Sequence, residues 1–556
     1  MAAATCSRAP RHRKRAGFEG LNCPFPPGKT GMLYSPPAVN KAPIPLKLLF
    51  IAAGIFYLVF ILGTSFVIKG ERYFTLLDDA MVSMRYARHL TGGYGLVWNI
   101  GEPPVEGFTN FGWMLLMALL HLFALAPAKI SLGVMLASAA ILLTNVWVVY
   151  RICAELGPGS KFAPLLAAGV TAFYFPLVFW SLRGMEVGLL TLLIDLGILL
   201  AVRIARGPRG RLVLLISLVA VLAVLVRLDA AIPLLVIAAC LLFEPGTPRR
   251  AAAWPILAIV LTGAALLWFQ HSYFGDFLPN TYYQKMGGYP AWERIRNGLL
   301  MLNEHAARDF LAPALIALAG MIAYKDLRGR AGLLLGCIFL SQIAYSVWIG
   351  GDYAEAEVDA ANRFITQGMP ALFILFSLAA DRILTDVLAA RRPKSKLKPG
   401  QEAALSLCLA AGLLLVVSGE PWMKWAIDNA PLLKADIRRV KLGLFLAQYT
   451  SPEATIAVHA AGQIPYFSDR RTIDLLGLND PVVARGPASG PFYPGHDKWN
   501  YEYSIMQLQP DLIADNWDKL ADFMRDKTGY RKLENGIYVR LDSRLIDLTG
   551  LSREYR

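Results

Sequence analysis

The sequence predicts a mainly α-helical protein that crosses a membrane many times and ends in a separate α/β domain. Three observations carry this prediction. Apolar residues make up 55% of the chain and charged residues only 17%, with a mean hydropathy of +0.44, beyond the range of ordinary soluble domains. The apolar residues are gathered into long runs separated by short polar connections. After Glu420 the runs stop and soluble-domain composition takes over.

The N-terminal 45 residues come first. Residues 1–50 carry eight Lys and Arg against Glu19 alone, a net +7 and half of the chain's +14. Rich in proline and poor in apolar residues, residues 1–45 read as a disordered tail. A basic segment beside a membrane span holds its end in the cytoplasm, which accounts for the charge without nucleic acid as a partner. The first apolar run, Leu46–Ile68, is too long for a secretory h-region and no small-residue cleavage site follows, so it reads as an uncleaved anchor.

Further apolar runs lie at about 111–126, 130–150, 162–180, 185–203, 212–226, 230–243, 252–270, 310–324, 331–349, 365–384 and 402–419. Basic connections should face the cytoplasm, and five are present: Arg151–Lys161, Arg203–Arg211, Arg249–Arg250, Lys325–Arg330 and Arg391–Lys398. If every run spans, all five fall outside. If Phe111–Ala126 instead lies along the interface or re-enters, all five fall inside. The expectation is therefore about eleven spans within 46–419, with a first outer loop at 69–126 and the C-terminus outside. The polar connections Thr75–Asn110, Ser181–Glu186, Arg227–Asp229, His271–Arg308 and Gly350–Arg363 then share the outer face.

Residues 420–556 read as a soluble α/β domain on that same face. ATIAVHA (454–460), RTIDLLG (471–477), DLIADN (511–516) and GIYVRLD (536–542) have strand character, and KLADFMRD (519–526) has helical pattern. The six cysteines form no CxxC and the seven histidines show no metal-ligand spacing, so neither a disulfide framework nor catalytic zinc is indicated. No P-loop or dinucleotide fingerprint is present. An enzyme of this layout has to draw an activated substrate from the bilayer.

The chemistry-bearing residues cluster in the outer loops. Asp78 and Asp79 form a carboxylate pair that suits general-base work on an acceptor hydroxyl; a helix N-terminus is the alternative reason for acids there. Arg85, at i+7 from Asp78, shares its helical face and suits a phosphate or the aspartates. Arg183, Glu186, Arg227 and Asp229 sit at span ends, where an ionisable group is costly unless paired or functional. Arg227 suits an anionic lipid phosphate, with Arg227–Asp229 and Arg183–Glu186 ion pairs as the structural alternative. Asp195, in mid-span, reads as a packed hydrogen-bonding group. In FGDFLPNTYYQKMGGY (274–289), Asn280 and Tyr282 suit sugar hydroxyls and faces, and Lys285 suits phosphate. Glu106, Asp352 and Arg363 complete the set.

LDDAMVSMRYARHLTGGYGLVWNIGEPPVEGFTNF (77–111) resembles the first outer loop of bacterial GT-C glycosyltransferases, most closely the AftB-type arabinofuranosyltransferases. SLRGMEVGLL, RLDA, FGDFLPNTYYQK, GGDY followed by NRF, and AGQIPYFSDRRTIDLLGLND continue the likeness in order, from about residue 70 to 480. The resemblance implies a GT-C module in a bacterial plasma membrane and inverting transfer from a polyprenyl-phosphate-linked sugar to an extracytoplasmic glycan or protein acceptor. It makes Asp78 the first and Asp79 the second candidate base. Arg227 and Lys285, with Arg85, would hold the donor phosphate, and Glu106, Glu186, Asn280, Tyr282, Asp352 and Arg363 would shape the sugar and acceptor pocket. Some members use a divalent cation and others do not, so the metal stays open. The chain departs from the pattern in the acids of AEAEVD (354–359), and in Arg-Leu-Asp where many relatives have Arg-Pro-Glu.

Arabinofuranose is the sugar this resemblance favours. A hexose or aminosugar transferase acting on lipopolysaccharide or protein is the alternative within the class. A transporter or flippase of lipid-linked glycans is the alternative outside it, but duplicated halves and mid-membrane charges would mark such a protein.

Overall fold

The computed structural model describes residues 43–352, 362–391, 399–427, 430, 432–515 and 517–553. The basic tail with Cys6 and Cys23, the acidic stretch AEAEVD and most of the Arg391–Lys398 connection lie outside the described residues.

The chain opens with helix α1 (Ile44–Gly63). The first apolar run does not stay helical to Ile68, because Phe66–Ile68 (β1) pairs antiparallel with Glu71–Tyr73 (β2). Lys69 and Gly70 turn between them at φ of 48° and 85°, the left-handed pair that a two-residue hairpin turn requires. Two short helices follow, α2 (Asp78–Thr91) and α3 (Phe111–His121). With 11 residues, α3 is about 16 Å long, half of what a bilayer core demands. At that length α3 does not cross a bilayer as a single straight helix.

Beyond it lie α4 (Ile130–Leu156), α5 (Phe162–Phe173), α6 (Phe175–Leu182), α7 (Val187–Arg206), α8 (Gly210–Val226), α9 (Ala231–Leu242) and α10 (Arg250–Phe274). Then come α11 (Asn280–Met286), α12 (Ala291–Asp309), α13 (Leu311–Ala323) and α14 (Arg330–Ile349). Two further long helices cover Met369–Arg391 and Pro399–Ile427. Among the described residues, six helices are long and apolar enough to cross a membrane, or eight if two bent pairs count as one span each. The α5–α6 pair bends by 48° where Pro176 enters, since proline cannot donate to the preceding turn. Large apolar side chains such as Leu218, Trp268, Leu318 and Leu415 stand exposed around the bundle, as lipid-facing side chains do.

The C-terminal region builds a five-stranded sheet in the order β4-β3-β5-β7-β6. Strands β3 (Thr455–Val458), β4 (Arg471–Asp474) and β5 (Leu512–Ile513) are parallel, while β7 (Tyr538–Arg540) and β6 (Tyr530–Lys532) add antiparallel. Four of the five coincide with the expected strands; β6 was not foreseen. Side chains alternate across the sheet. Ile456 and Val458 pack on one face with Leu442 and Leu446 of the helix Leu433–Tyr449, and Ala457 and Ile513 pack on the other with Ile505 and Leu520. The last span runs on to Ile427, so the soluble region starts later than the composition break at Glu420. Val440, Ala461, Tyr466 and Phe467 belong to the same hydrophobic core as the membrane helices, which makes the two regions one packed body.

Candidate functional site

A cavity of about 270 Å³ opens where the outer loops meet. Its floor and walls come from the first turn of α2, the loop 106–111, the turn before α7, the outer ends of α8, α10 and α14, helix α11, and Arg363. Of the residues singled out in the sequence, Asp79, Glu106, Glu186, Arg227, Tyr282, Lys285, Asp352 and Arg363 all line it. They span almost 300 positions of sequence and converge because every one sits at the same end of its helix or loop.

The wall toward α7 is a chain of polar contacts. Ser83 Oγ donates to Asn110 Oδ1 at 2.9 Å, Asn110 Nδ2 donates to Glu186 Oε2 at 2.9 Å, and Arg227 Nη1 donates to Glu186 Oε1 at 2.8 Å. Arg227 also makes a two-pronged pair with Asp229, at 3.0 and 2.7 Å, and reaches Thr109 Oγ1 at 3.1 Å. A guanidinium has five N–H groups, and four are thereby engaged within the described residues. Arg227 is an organiser of the wall, with Tyr345 also against it. The Arg227–Asp229 pair foreseen as a structural alternative is present. The Arg183–Glu186 pair is not, because Gly184, at φ 92° and tight against Leu76, turns the chain between them. Arg183 instead binds Asp436 and donates to Thr75 O at 3.1 Å.

The opposite wall holds Asp79, Lys285, Asp352 and Arg363. Arg363 lies 3.4 Å from Asp79 Oδ2 and 3.0 Å from Asp352 Oδ2, with its guanidinium over Trp180 and Phe364. The Asp79 side chain is 32% exposed, open to the cavity. Burial opposes its ionisation, but Arg363, Lys285 and His496 together hold its carboxyl below the usual carboxylate range. Lys285 makes no hydrogen bond or ion pair with the described residues. Burial, reinforced by Arg363, pushes its ammonium down to about 8. Glu106 is the third perturbed group, 4% exposed, with Gln270 donating to Oε1 at 3.1 Å and no partner on Oε2 among the described residues. Burial raises its carboxyl to about 8, so it is protonated at neutral pH.

Three residues singled out in the sequence lie elsewhere. Asp78 turns away from the cavity and accepts the backbone N–H of Gly462 at 3.2 Å and Gln463 at 2.8 Å. Burial raises its carboxyl despite these bonds. Asn280 donates to the carbonyls of Gly477 and Leu478 at 2.8 and 3.0 Å. Arg85 is a correction to the phosphate-binding set. It is 2% exposed and its guanidinium donates to the carbonyls of Trp98, Pro465 and Arg470 and to Asn99, leaving none of it facing the cavity. Asp195 is also corrected, being buried in α7 with no partner for either oxygen among the described residues.

Sequence reasoning missed several contributors. His496 lies close enough to Asp79 and Lys285 to feel both charges; its signal was only an aromatic, glycine-containing loop, FYPGHDKW. Asp436 and Gln463 anchor the base of α2, Gln463 Nε2 donating to Leu76 O at 2.9 Å and Asp436 Oδ1 at 2.7 Å. Among the described residues no three His, Cys, Asp or Glu side chains converge to hold a metal ion.

A domain model described as a domain of unknown function, DUF8728, matches residues 431–539. None of the curated proteins matches the sequence. Among solved structures, the archaeal oligosaccharyltransferase AglB from Archaeoglobus fulgidus, in complex with an inhibitory peptide and a dolichol-phosphate, is similar over 85% of this chain and 69% of its own. The identity is 12% and the TM-score 0.53. An Archaeoglobus fulgidus oligosaccharyltransferase tethered with an acceptor peptide gives 84% and 68% coverage, 12% identity and a TM-score of 0.52. ArnT from Cupriavidus metallidurans bound to undecaprenyl phosphate covers 77% and 85%, at 14% identity and a TM-score of 0.48. At these identities the likeness speaks to architecture. The chain is a mainly helical membrane protein of the GT-C fold, with a C-terminal α/β region.

Proposed function

We propose that the protein is an inverting glycosyltransferase that moves a sugar from a polyprenyl-phosphate donor to an extracytoplasmic glycan or protein acceptor. The observation that carries this reading is the pairing, in one cavity, of an ionised carboxylate with an ammonium that feels its charge but makes no hydrogen bond or ion pair among the described residues, Asp79 and Lys285. The donor phosphate sits against Lys285 and Arg363, and the apolar wall of Phe269, Leu266 and Leu225 takes the start of the prenyl chain. Asp79 accepts the proton of the acceptor hydroxyl as its oxygen attacks the anomeric carbon from the face opposite the phosphate. The carbon–oxygen bond to phosphate breaks with its electron pair, and polyprenyl phosphate leaves as an anion held by the same cations. Asp78, the first candidate on sequence grounds, becomes a positioning residue.

Arabinofuranose as the sugar rests on the sequence resemblance, and the bacterial plasma membrane as the location rests on the same ground. The fold shared with AglB is consistent with a lipid-linked donor.

The test is sugar transfer by purified protein from radiolabelled polyprenyl-phosphoryl arabinose, mannose and aminoarabinose, with binding of undecaprenyl phosphate measured in parallel. Asp79→Asn is expected to lower transfer by about 10²–10⁴-fold, the usual worth of a general base, with lipid-phosphate binding retained. Unchanged transfer by that variant would remove Asp79 as the base, and transfer from none of these donors by the wild type would sink the reading.

A further inference from the structure

A second concavity lies on the C-terminal region, lined by Tyr493, His496, Asp497, Trp499, Trp517 and Asp518 among others. Its rings form a continuous series. Tyr493 and His496 have centroids 5.4 Å apart, and His496 and Trp517 lie 5.3 Å apart. Two of its polar groups lack partners among the described residues. Asp497 is 2% exposed; the Tyr493 N–H donates to its Oδ2 at 3.4 Å, while among the described residues its Oδ1 has only the nearby Tyr289 hydroxyl, whose hydrogen bond at 2.7 Å goes to Gly490 O. Trp517 Nε1 is a buried donor with nothing to donate to. Unpaired buried polar groups are costly, so their presence beside a cleft points to a ligand that supplies the missing bonds. Asp518, exposed at the rim, holds a φ of 34°, the kind of strain that gathers at ligand sites.

The position in the fold points the same way. Strand β3 lies between β4 and β5, so the chain reverses direction across the sheet between β3 and β5. In open sheets of this kind, ligands bind outside the carboxyl ends of the parallel strands, at that switch point. Trp517 follows β5, and its ring packs 5.3 Å from that of His459, which directly follows β3.

The loop 490–499 is a partition between this cleft and the cavity described above. Pro494 lines the cavity, while Tyr493 and His496 line the cleft. Gly495 packs against the Lys285 side chain and its carbonyl accepts from Gln284.

Resting on the transferase reading, we propose that the cleft between the 490–499 loop and Trp517 binds the sugar rings of a neutral glycan acceptor and delivers its terminal hydroxyl past His496 to Asp79. The chemistry fits this class of ligand. The C–H faces of sugar rings lie against aromatic faces, and their hydroxyls both donate and accept, matching an unpaired carboxylate oxygen and an unpaired indole N–H. Two carboxylates, Asp497 and Asp518, disfavour anionic chains.

The full chain in lipid nanodiscs is titrated with linear neutral hexasaccharides of arabinofuranose, galactofuranose, mannose and glucose, read by tryptophan fluorescence. At least one is expected to bind. Trp517→Ala is expected to weaken it about tenfold or more, and Asp518→Gly, at an exposed position whose positive φ glycine adopts freely, to weaken it without affecting the fold; undecaprenyl phosphate binding stays unchanged in both. Binding of none of the four sugars, or undiminished binding by both variants, overturns the proposal. Glycan binding lost in the variants while the wild type transfers no sugar would leave the cleft as a glycan site and defeat only the transferase reading.

Discussion

At the scale of single residues, the cavity is governed by which side chains are left without partners. Arg227 has four of its N–H groups engaged by Glu186, Asp229 and Thr109, whereas Lys285 makes no hydrogen bond or ion pair among the described residues. On the proposed transferase reading, phosphate recognition then falls chiefly to Lys285, and a pH signature follows. An ammonium near 8 is charged below that pH and neutral above it, so donor affinity is full at neutral pH and falls as pH rises through about 8. Asp79, held low, stays ionised across the same range and contributes no limb at mild acidity. Glu106 also titrates near 8, and two variants separate the contributions. Lys285→Arg is expected to carry donor binding to higher pH, since a guanidinium does not deprotonate there, while Glu106→Gln is expected to leave the alkaline fall in place. Loss of the fall in Glu106→Gln alone would transfer it to Glu106. Lys285→Ala at pH 7 should weaken lipid-phosphate binding by about 10–100-fold, the worth of a hydrogen bond to a charged group. The residue types and loops of this site were legible in the sequence because polar groups are scarce in a membrane chain. The choice between Asp78 and Asp79 was not. Adjacent helical residues point about 100° apart, and what Asp78 meets lies 384 residues away.

At the scale of elements, the decisive junction is between the first turn of α2 and the turn after β3. Asp78 caps the amides of Gly462 and Gln463, and the two backbones touch. A Cβ at Gly462 would fall 1.9 Å from Asp78 O and 3.0 Å from Val82 N, atoms that cannot rotate away. Gly462→Ala therefore has to separate α2 from the C-terminal region and move Asp79 with it. A cost of about 1–3 kcal/mol is expected, as for other overpacked contacts, together with reduced transfer. The comparison is Gly529→Ala, whose added methyl meets nothing within 4 Å, and thermal unfolding in detergent reads both. Equal stabilities would mean the junction is loose and does not set Asp79. The apolar runs fixed the helices well, and alternation revealed four strands. The short β6 escaped because three residues, two of them charged, carry no hydrophobic pattern. The helical end of the first span escaped because Phe66–Ile68 is as apolar as the helix before it, and only the Lys69–Gly70 turn distinguishes them.

At the scale of the whole molecule, the shared core and the contacts of α2 with residues 462–470 make the C-terminal region a wall of the site. That arrangement requires both to occupy the same side of the membrane, opposite the arginine-rich connection between α7 and α8. The charge rule would put that connection in the cytoplasm, an expectation that needs the short α3 not to cross. Two single-cysteine variants test this in a background with the six native cysteines replaced. Asn500→Cys, exposed on the C-terminal region, is expected to react with a membrane-impermeant maleimide in intact spheroplasts. Arg209→Cys, exposed between α7 and α8, is expected to react only after lysis. The reverse pattern would place the cavity on the cytoplasmic face, where the lipid-linked donor would have to be presented from the other leaflet. Labelling of both in intact spheroplasts would break the parity argument and require one of the helices between Gly210 and Ile427 not to cross.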